Sequence, residues 1–248
     1  MEVVSLSHSV VGRQRRTPKK RKGNSETPGL TKEAVIEAAL KLIDTTDLES
    51  FSMRNLAKEL GVYPTAIYWH VPSRNAVITE MISRVLGGIV PEEQDDWKEW
   101  LKQLFRNYRQ AIRVHPNVAP LIGVQLVSNA SVDLDMIESI LRTLSKAGFA
   151  DDDLLAVFNA VIATMVGFTT QEFSMVPKEE ADDWAAAMQN VVASVDDTRH
   201  PILARNAGNF ANKAFILRWQ NGAFSPLDSG FETFIQAVVD GLEVRLSQ

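Results

Sequence analysis

The chain has 248 residues, 45% of them hydrophobic and 23% charged, with a formal net charge of -5 and no cysteine. That length buries a sizeable core and suits a small domain followed by a larger one, and the missing cysteines exclude disulfides and thiolate metal sites. Residues 1–29 hold seven Lys or Arg (Arg13, Arg15, Arg16, Lys19, Lys20, Arg21 and Lys22) against Glu2 and Glu26, so this arm carries +5 and the remainder -10.

The arm, 1–29, contains Pro18, Gly23, Asn24, Ser25 and Pro28 without apolar periodicity, and it is expected to be disordered when free. A basic extension on an acidic body fits a protein that touches a polyanion at one end, the arm lying on phosphates or in a minor groove. A solubilising tail is the plainer alternative. Glu2 and the brief apolar stretch before the basic run lack the ordering of a secretory signal, so a cytoplasmic protein is expected.

Next, from about Thr31 to Thr46, Val35, Ala38, Ala39, Leu42 and Ile43 fall on one helical face. Residues 51–74, FSMRNLAKELGVYPTAIYWHVPSR, then place a small residue, a tight turn and a short second helix at helix-turn-helix spacing. Ser52 is positioned to cap the first helix and Arg54 points out of its first turn. Ala57 lets two helices cross closely, Gly61 takes the positive φ of the turn, and Ile67 plugs the shared core. Tyr63, Pro64, Thr65, Ala66, Tyr68 and His70 are left to face a groove. An ordinary helical hairpin is the bland alternative. It is disfavoured by the flanking helices, the second running from about Ser73 to Ile89 with Val77, Ile78, Met81, Ile82, Val85 and Leu86 apolar.

Over about residues 30 to 90 these features resemble the N-terminal domain of the tetracycline-repressor (TetR) family, and Ile67-Tyr68-Trp69-His70-Val71 is similar to the branch that gives the family its name. The resemblance implies that Arg54 reaches a base edge, guanine by the fit of its fork. It further implies that Pro64, Thr65 and Ala66 face the groove and that Tyr68, His70 and Arg74 touch phosphate or position the backbone. Ser52 and Tyr63 complete the expected DNA-binding set, and the arm residues Arg13, Arg15, Arg16, Lys19, Lys20, Arg21 and Lys22 extend it. Tyr63-Pro64-Thr65-Ala66 departs from that branch, so its operator is not assumed here. Farther on, Trp97 to Arg109 and Phe231 to Glu243 are similar to the branch's C-terminal domain in pattern.

From about Pro91 the periodicity predicts helices over Trp97 to His115, Asn117 to Val127, Val132 to Ala147, Asp151 to Phe173, Glu179 to Val195, Pro201 to Trp219 and Ser229 to Leu246, with prolines near the breaks. The expected fold is all-α: a three-helix helix-turn-helix domain over 30–90, then a helical ligand-binding and dimerisation domain over 91–248. Leu154 to Phe168, interrupted by Asn159 and Thr164, reads as a core helix too short to span a bilayer, and no membrane partner is expected. Asp151 to Phe173 is apolar on more than one face, and Phe231, Phe234, Ile235, Val238, Val239 and Leu242 make a broad stripe. The resemblance implies that these pair across a two-fold axis in a homodimer. A palindromic double-stranded DNA operator would then present one half-site to each protomer.

A small-molecule effector is expected in a cavity lined by Tyr108, Gln125, Asn129, Met165, Phe168, Thr169 and Glu172, although each of these also fits ordinary core or surface. The tetracycline-repressor branch binds a drug–metal chelate through a histidine after a proline-marked break. Leu121-Ile122-Gly123-Val124-Gln125-Leu126 has none, which argues for an apolar or amphipathic effector; no metal or cofactor is called for. His8, His70, His115 and His200 are scattered, and neither a nucleophile motif nor a phosphate-binding loop is present. The carboxylate runs at 92–96, 151–153 and 179–183 read as helix starts. The expected function is a dimeric transcriptional regulator, a repressor released by its effector, with a ligand-independent architectural DNA-binding dimer as the alternative.

Overall fold

The structure, a computed structural model, describes residues 29–46, 51–122, 133–177 and 181–247. The arm cations Arg13 to Lys22, together with Gln125 and Asn129, lie outside the described residues. All regular structure among the described residues is helical.

Helix α1 (Lys32–Thr45) starts where the Thr31 hydroxyl accepts from Ala34 N at 3.1 Å. It buries Val35, Ile36, Ala39, Leu40 and Ile43, whereas Ala38 and Leu42 are half-buried. Helix α2 (Met53–Leu60) is capped by Ser52, and α3 (Pro64–Tyr68) opens on a proline, whose missing N–H costs nothing in a first turn. Helix α4 (Arg74–Leu86) starts at the Ser73 cap and buries Val77, Ile78, Met81, Ile82 and Val85 against α1.

Helix α5 (Trp97–Val114) begins at Asp96, whose Oδ1 accepts from Lys98 N and Glu99 N. Its buried face runs from Trp100 through Leu104, Phe105 and Tyr108 to Ile112. A 3-10 turn (Pro116–Val118) follows. Helix α6 (Leu134–Ala147) is capped by Asp133 and stops at Gly148, whose φ of 106° is the left-handed conformation that glycine adopts most cheaply. Helix α7 (Asp151–Glu172), which carries Asp151, Asp152 and Asp153 in its first turn, packs against α5, α6 and α10 (Asp228–Leu246). Carboxylates at these starts interact favourably with the helix dipole.

Two expectations change. Leu154 to Phe168 belongs to a 22-residue helix, so length alone does not exclude a bilayer. What identifies it as a core helix is its packing against three other helices and the buried, ion-paired Glu172 at its end. The helix predicted from Pro201 to Trp219 stops at Phe210 (α9, Pro201–Phe210). There Asn212 takes a φ of 58°, and its side-chain oxygen accepts from Trp219 N and Gln220 N, closing a compact turn over 211–227. On α8 (Ala181–Ala193) and α9 the side chains of residues 182–193 and 201–210 are all at least partly exposed, so one protomer does not enclose them.

Candidate DNA interface and effector region

The reading head is built from caps and one turn. Ser52 Oγ accepts from Asn55 N at 3.2 Å, so the serine is a helix cap first. Gly61, at φ 66°, ends α2; its N–H bonds Lys58 O at 3.2 Å and Val62 N bonds Ala57 O at 3.0 Å. Ala57 and Ile67 are buried between α2 and α3. On the outside, Arg54, Tyr63, Pro64, Thr65 and Tyr68 are exposed, and Ala66, His70 and Ser52 are half-buried. Trp69, 88% exposed, was not among the expected contacts; aromatic spacing alone does not separate it from a core residue. Arg74 is less free than a simple phosphate contact. Its Nε donates to Phe51 O at 3.1 Å, and its guanidinium sits 5.4 Å from the Phe51 ring centroid, so α4 is braced against the start of α2.

The head grips the rest of the chain through side chains that cap its backbone. Asn117 Nδ2 donates to Ile43 O at 2.8 Å and reaches Thr46 O at 3.2 Å, serving carbonyls that the end of α1 leaves without helical partners. His115 Nδ1 lies 2.8 Å from Asp44 Oδ2, and Asn107 Nδ2 donates to Ile89 O at 2.9 Å beyond α4. Asn117→Ala is expected to cost about 1–2 kcal/mol by leaving these carbonyls unserved, measured as a lower denaturant midpoint at unchanged slope.

In the body, Tyr108, Met165, Phe168 and Thr169 are all buried, and burial pushes the Tyr108 phenol well above its ordinary pKa. Phe168 stands among Phe215, Phe231 and Phe234, at centroid distances of 5.0, 5.4 and 5.6 Å. Glu172 is not a free pocket group as the sequence suggested. Its carboxylate accepts from Arg109 Nε at 2.7 Å, Arg109 Nη2 at 2.6 Å and Leu227 N at 2.8 Å. Asp228 Oδ1 approaches Arg109 Nη2 at 2.8 Å, and the Phe231 ring lies 4.5 Å from the guanidinium. Burial works against the Arg109 charge, but the bonds to Glu172 and Asp228 outweigh it and raise its pKa. Gly222 N donates to Glu172 O at 2.7 Å, and a Cβ on Gly222 would lie 2.4 Å from Glu172 Cγ, so no larger residue fits without displacing the pair.

A helix-turn-helix head clamped to an all-helical body defines a DNA-binding regulator of the two-domain kind. The family described as tetracyclin repressor-like, C-terminal domain, matches residues 90–246, and bacterial regulatory proteins, tetR family, matches residues 35–81. The chain therefore belongs to the tetracycline-repressor family. As a member it is a dimeric DNA-binding transcriptional repressor that answers to a small-molecule effector, and it is not an enzyme. It is 29% identical over 225 residues to the class C tetracycline repressor of Escherichia coli, covering 86% of this chain and 91% of that one. A crystal structure of BioQ with its natural double-stranded DNA operator is 31% identical at a TM-score of 0.54, covering 58% of this chain and 88% of that one. ActR of Streptomyces coelicolor in complex with (S)-DNPA shares the fold, at 21% identity and a TM-score of 0.59, covering 87% of this chain and all of that one.

Proposed function

We propose that residues 30–90 of each protomer read one half-site of a palindromic operator, and that residues 91–248 dimerise and take up the effector that releases it. Arg54 meets a base edge; Tyr63, Pro64, Thr65 and Ala66 line the groove; Tyr68, His70, Arg74 and the Ser52 end of α2 lie along the phosphates. The arm cations from Arg13 to Lys22 add salt-dependent affinity. Such a protein works in the cytoplasm, where its operator is. The observation that carries this reading is the exposed set Arg54, Tyr63, Pro64, Thr65, Tyr68 and Trp69 on a unit whose own core is closed behind Ala57 and Ile67. BioQ's complex with its operator and ActR's with (S)-DNPA support the two halves of the reading.

One short helix gives little affinity, so two linked half-sites are needed. The second copy has a face to use: Leu155, Phe158, Ile162 and Val166 on α7, with Phe234 and Val238 on α10, stay exposed or half-buried in the single protomer. Release requires an effector that favours one spacing of the two heads, because equal affinity for both spacings shifts nothing. Movement in the body reaches the head where Asn117 holds α1 and where α4 rests on α5.

Selection of bound genomic fragments by the purified protein, in enough salt to suppress nonspecific capture, tests this. One or a few palindromic sites are the expected result. Recovery of random fragments alone would replace the reading with an architectural DNA-binding dimer.

A further inference from the structure

Among the described residues Arg218 is a buried cation without an ion-pair partner. It is 6% exposed, yet none of the ion pairs among the described residues includes it, whereas Arg109 and Arg106 each meet two carboxylates. Its Nε donates to Gln220 O at 2.7 Å and its Nη2 to Ser225 O at 3.1 Å, which fixes the guanidinium with neutral groups of its own turn. Nη1 is buried and has no partner among the described residues. An arginine cannot shed its proton to escape this, and an unpaired buried charge is among the costliest features a fold can hold. Burial depresses its pKa, and the more distant Glu172 only partly opposes the shift.

Glu172 cannot serve both arginines, because its oxygens are already engaged by Arg109 and Leu227 N. In the group formed by Arg109, Arg113, Arg218, Glu172 and Asp228, one positive charge is left over. A second orphan stands on α7, the helix that ends at Glu172. Thr169, one turn before Glu172 on the same face of α7, is 1% exposed, and its hydroxyl has no partner among the described residues. A helical threonine ordinarily bonds back to the preceding turn, as Thr164 does to Ala160 O at 2.7 Å in the same helix. Phe168, the residue before Thr169, meets Phe215 edge-on at 5.0 Å, and Phe215 stays 42% exposed.

We propose that Arg218 and Thr169 receive the carboxylate of an aromatic or apolar acid, whose body lies against Phe168 and Phe215. This rests on the reading that the helical body takes up the effector, and it names the effector's chemical class. A water molecule would satisfy the hydrogen bonds but not the charge; an anion satisfies both.

The test compares 1-naphthylacetate and 4-phenylbutyrate with their primary amides and with acetate, as ligands of the full-length dimer followed by thermal unfolding at fixed protein concentration. At least one of the two acids is expected to raise the wild-type Tm by several degrees, with no comparable shift from its amide or from acetate. Arg218→Met should weaken that acid at least about tenfold, the loss of a charge-assisted hydrogen bond. Thr169→Val, which removes only a hydroxyl, should weaken it about threefold to tenfold and carries the test if Arg218→Met does not fold. Equal response to acid and amide, or undiminished acid binding in both variants, overturns the proposal. Operator release is read separately by fluorescence anisotropy: Arg218-dependent binding that leaves the operator bound keeps the site and removes its role as the effector site.

Discussion

Replacing Glu172 by alanine is expected to cost about 3–5 kcal/mol of folding stability, the range for deleting one partner of a buried ion pair. Glu172 is 0% exposed, and the variant would leave Arg109 facing only Asp228, whose side chain is 64% exposed and screened by water. The damage would not stop at the charge. The same carboxylate holds Leu227 N at the start of α10, so α5, α7 and the end of the 211–227 turn lose their common side-chain anchor, while the bond from Gly222 N to the Glu172 carbonyl is kept. Replacing the pair together, Arg109→Met with Glu172→Met, should recover most of the loss because Arg109 is no longer left as a bare charge. Chemical denaturation of all three proteins at one protomer concentration decides the matter. A cost below about 1 kcal/mol for Glu172→Ala would mean that Asp228 alone neutralises Arg109.

The head was legible in the sequence because everything that shapes it is local. Ser52, Ala57, Gly61 and Ile67 lie within 16 residues, and each acts through a cap, a close crossing or a left-handed turn that its residue type announces. The body was legible only as helices. Glu172 reads as a polar group on an apolar helix until Arg109, 63 residues earlier, is seen to engage it. Asn117 reads as the first residue of a new helix, and its bond to Ile43 O spans 74 residues. The end of α9 was missed because Asn212, not glycine or proline, takes the left-handed conformation. Arg218 gave no signal at all, since a lone arginine near the end of a presumed helix is ordinarily a solvated one.

Arg54→Ala is expected to cut discrimination between operator and random DNA sharply. Arg54 stands exposed in the first turn of α2, and among the described residues no hydrogen bond or ion pair ties down its guanidinium. A bidentate arginine–guanine contact contributes about 1–3 kcal/mol of discrimination, and a dimer makes it twice, so operator affinity should fall on the order of thirtyfold to ten-thousandfold. Random duplex offers no matching guanine and should lose far less. Arg74→Ala is the contrasting case. Its guanidinium is braced on Phe51 by one carbonyl and one ring, and in the proposed reading it meets a backbone phosphate whatever the sequence. It should therefore weaken operator and random duplex in the same proportion and reduce the salt slope by about 1 per half-site. Anisotropy titrations of both variants on the selected operator and a scrambled duplex, over a range of salt, separate the two roles. If Arg54→Ala weakened both duplexes equally, its assignment to a base edge would fail, and specificity would have to come from Tyr63 to Ala66 on α3 or from the shape of the DNA.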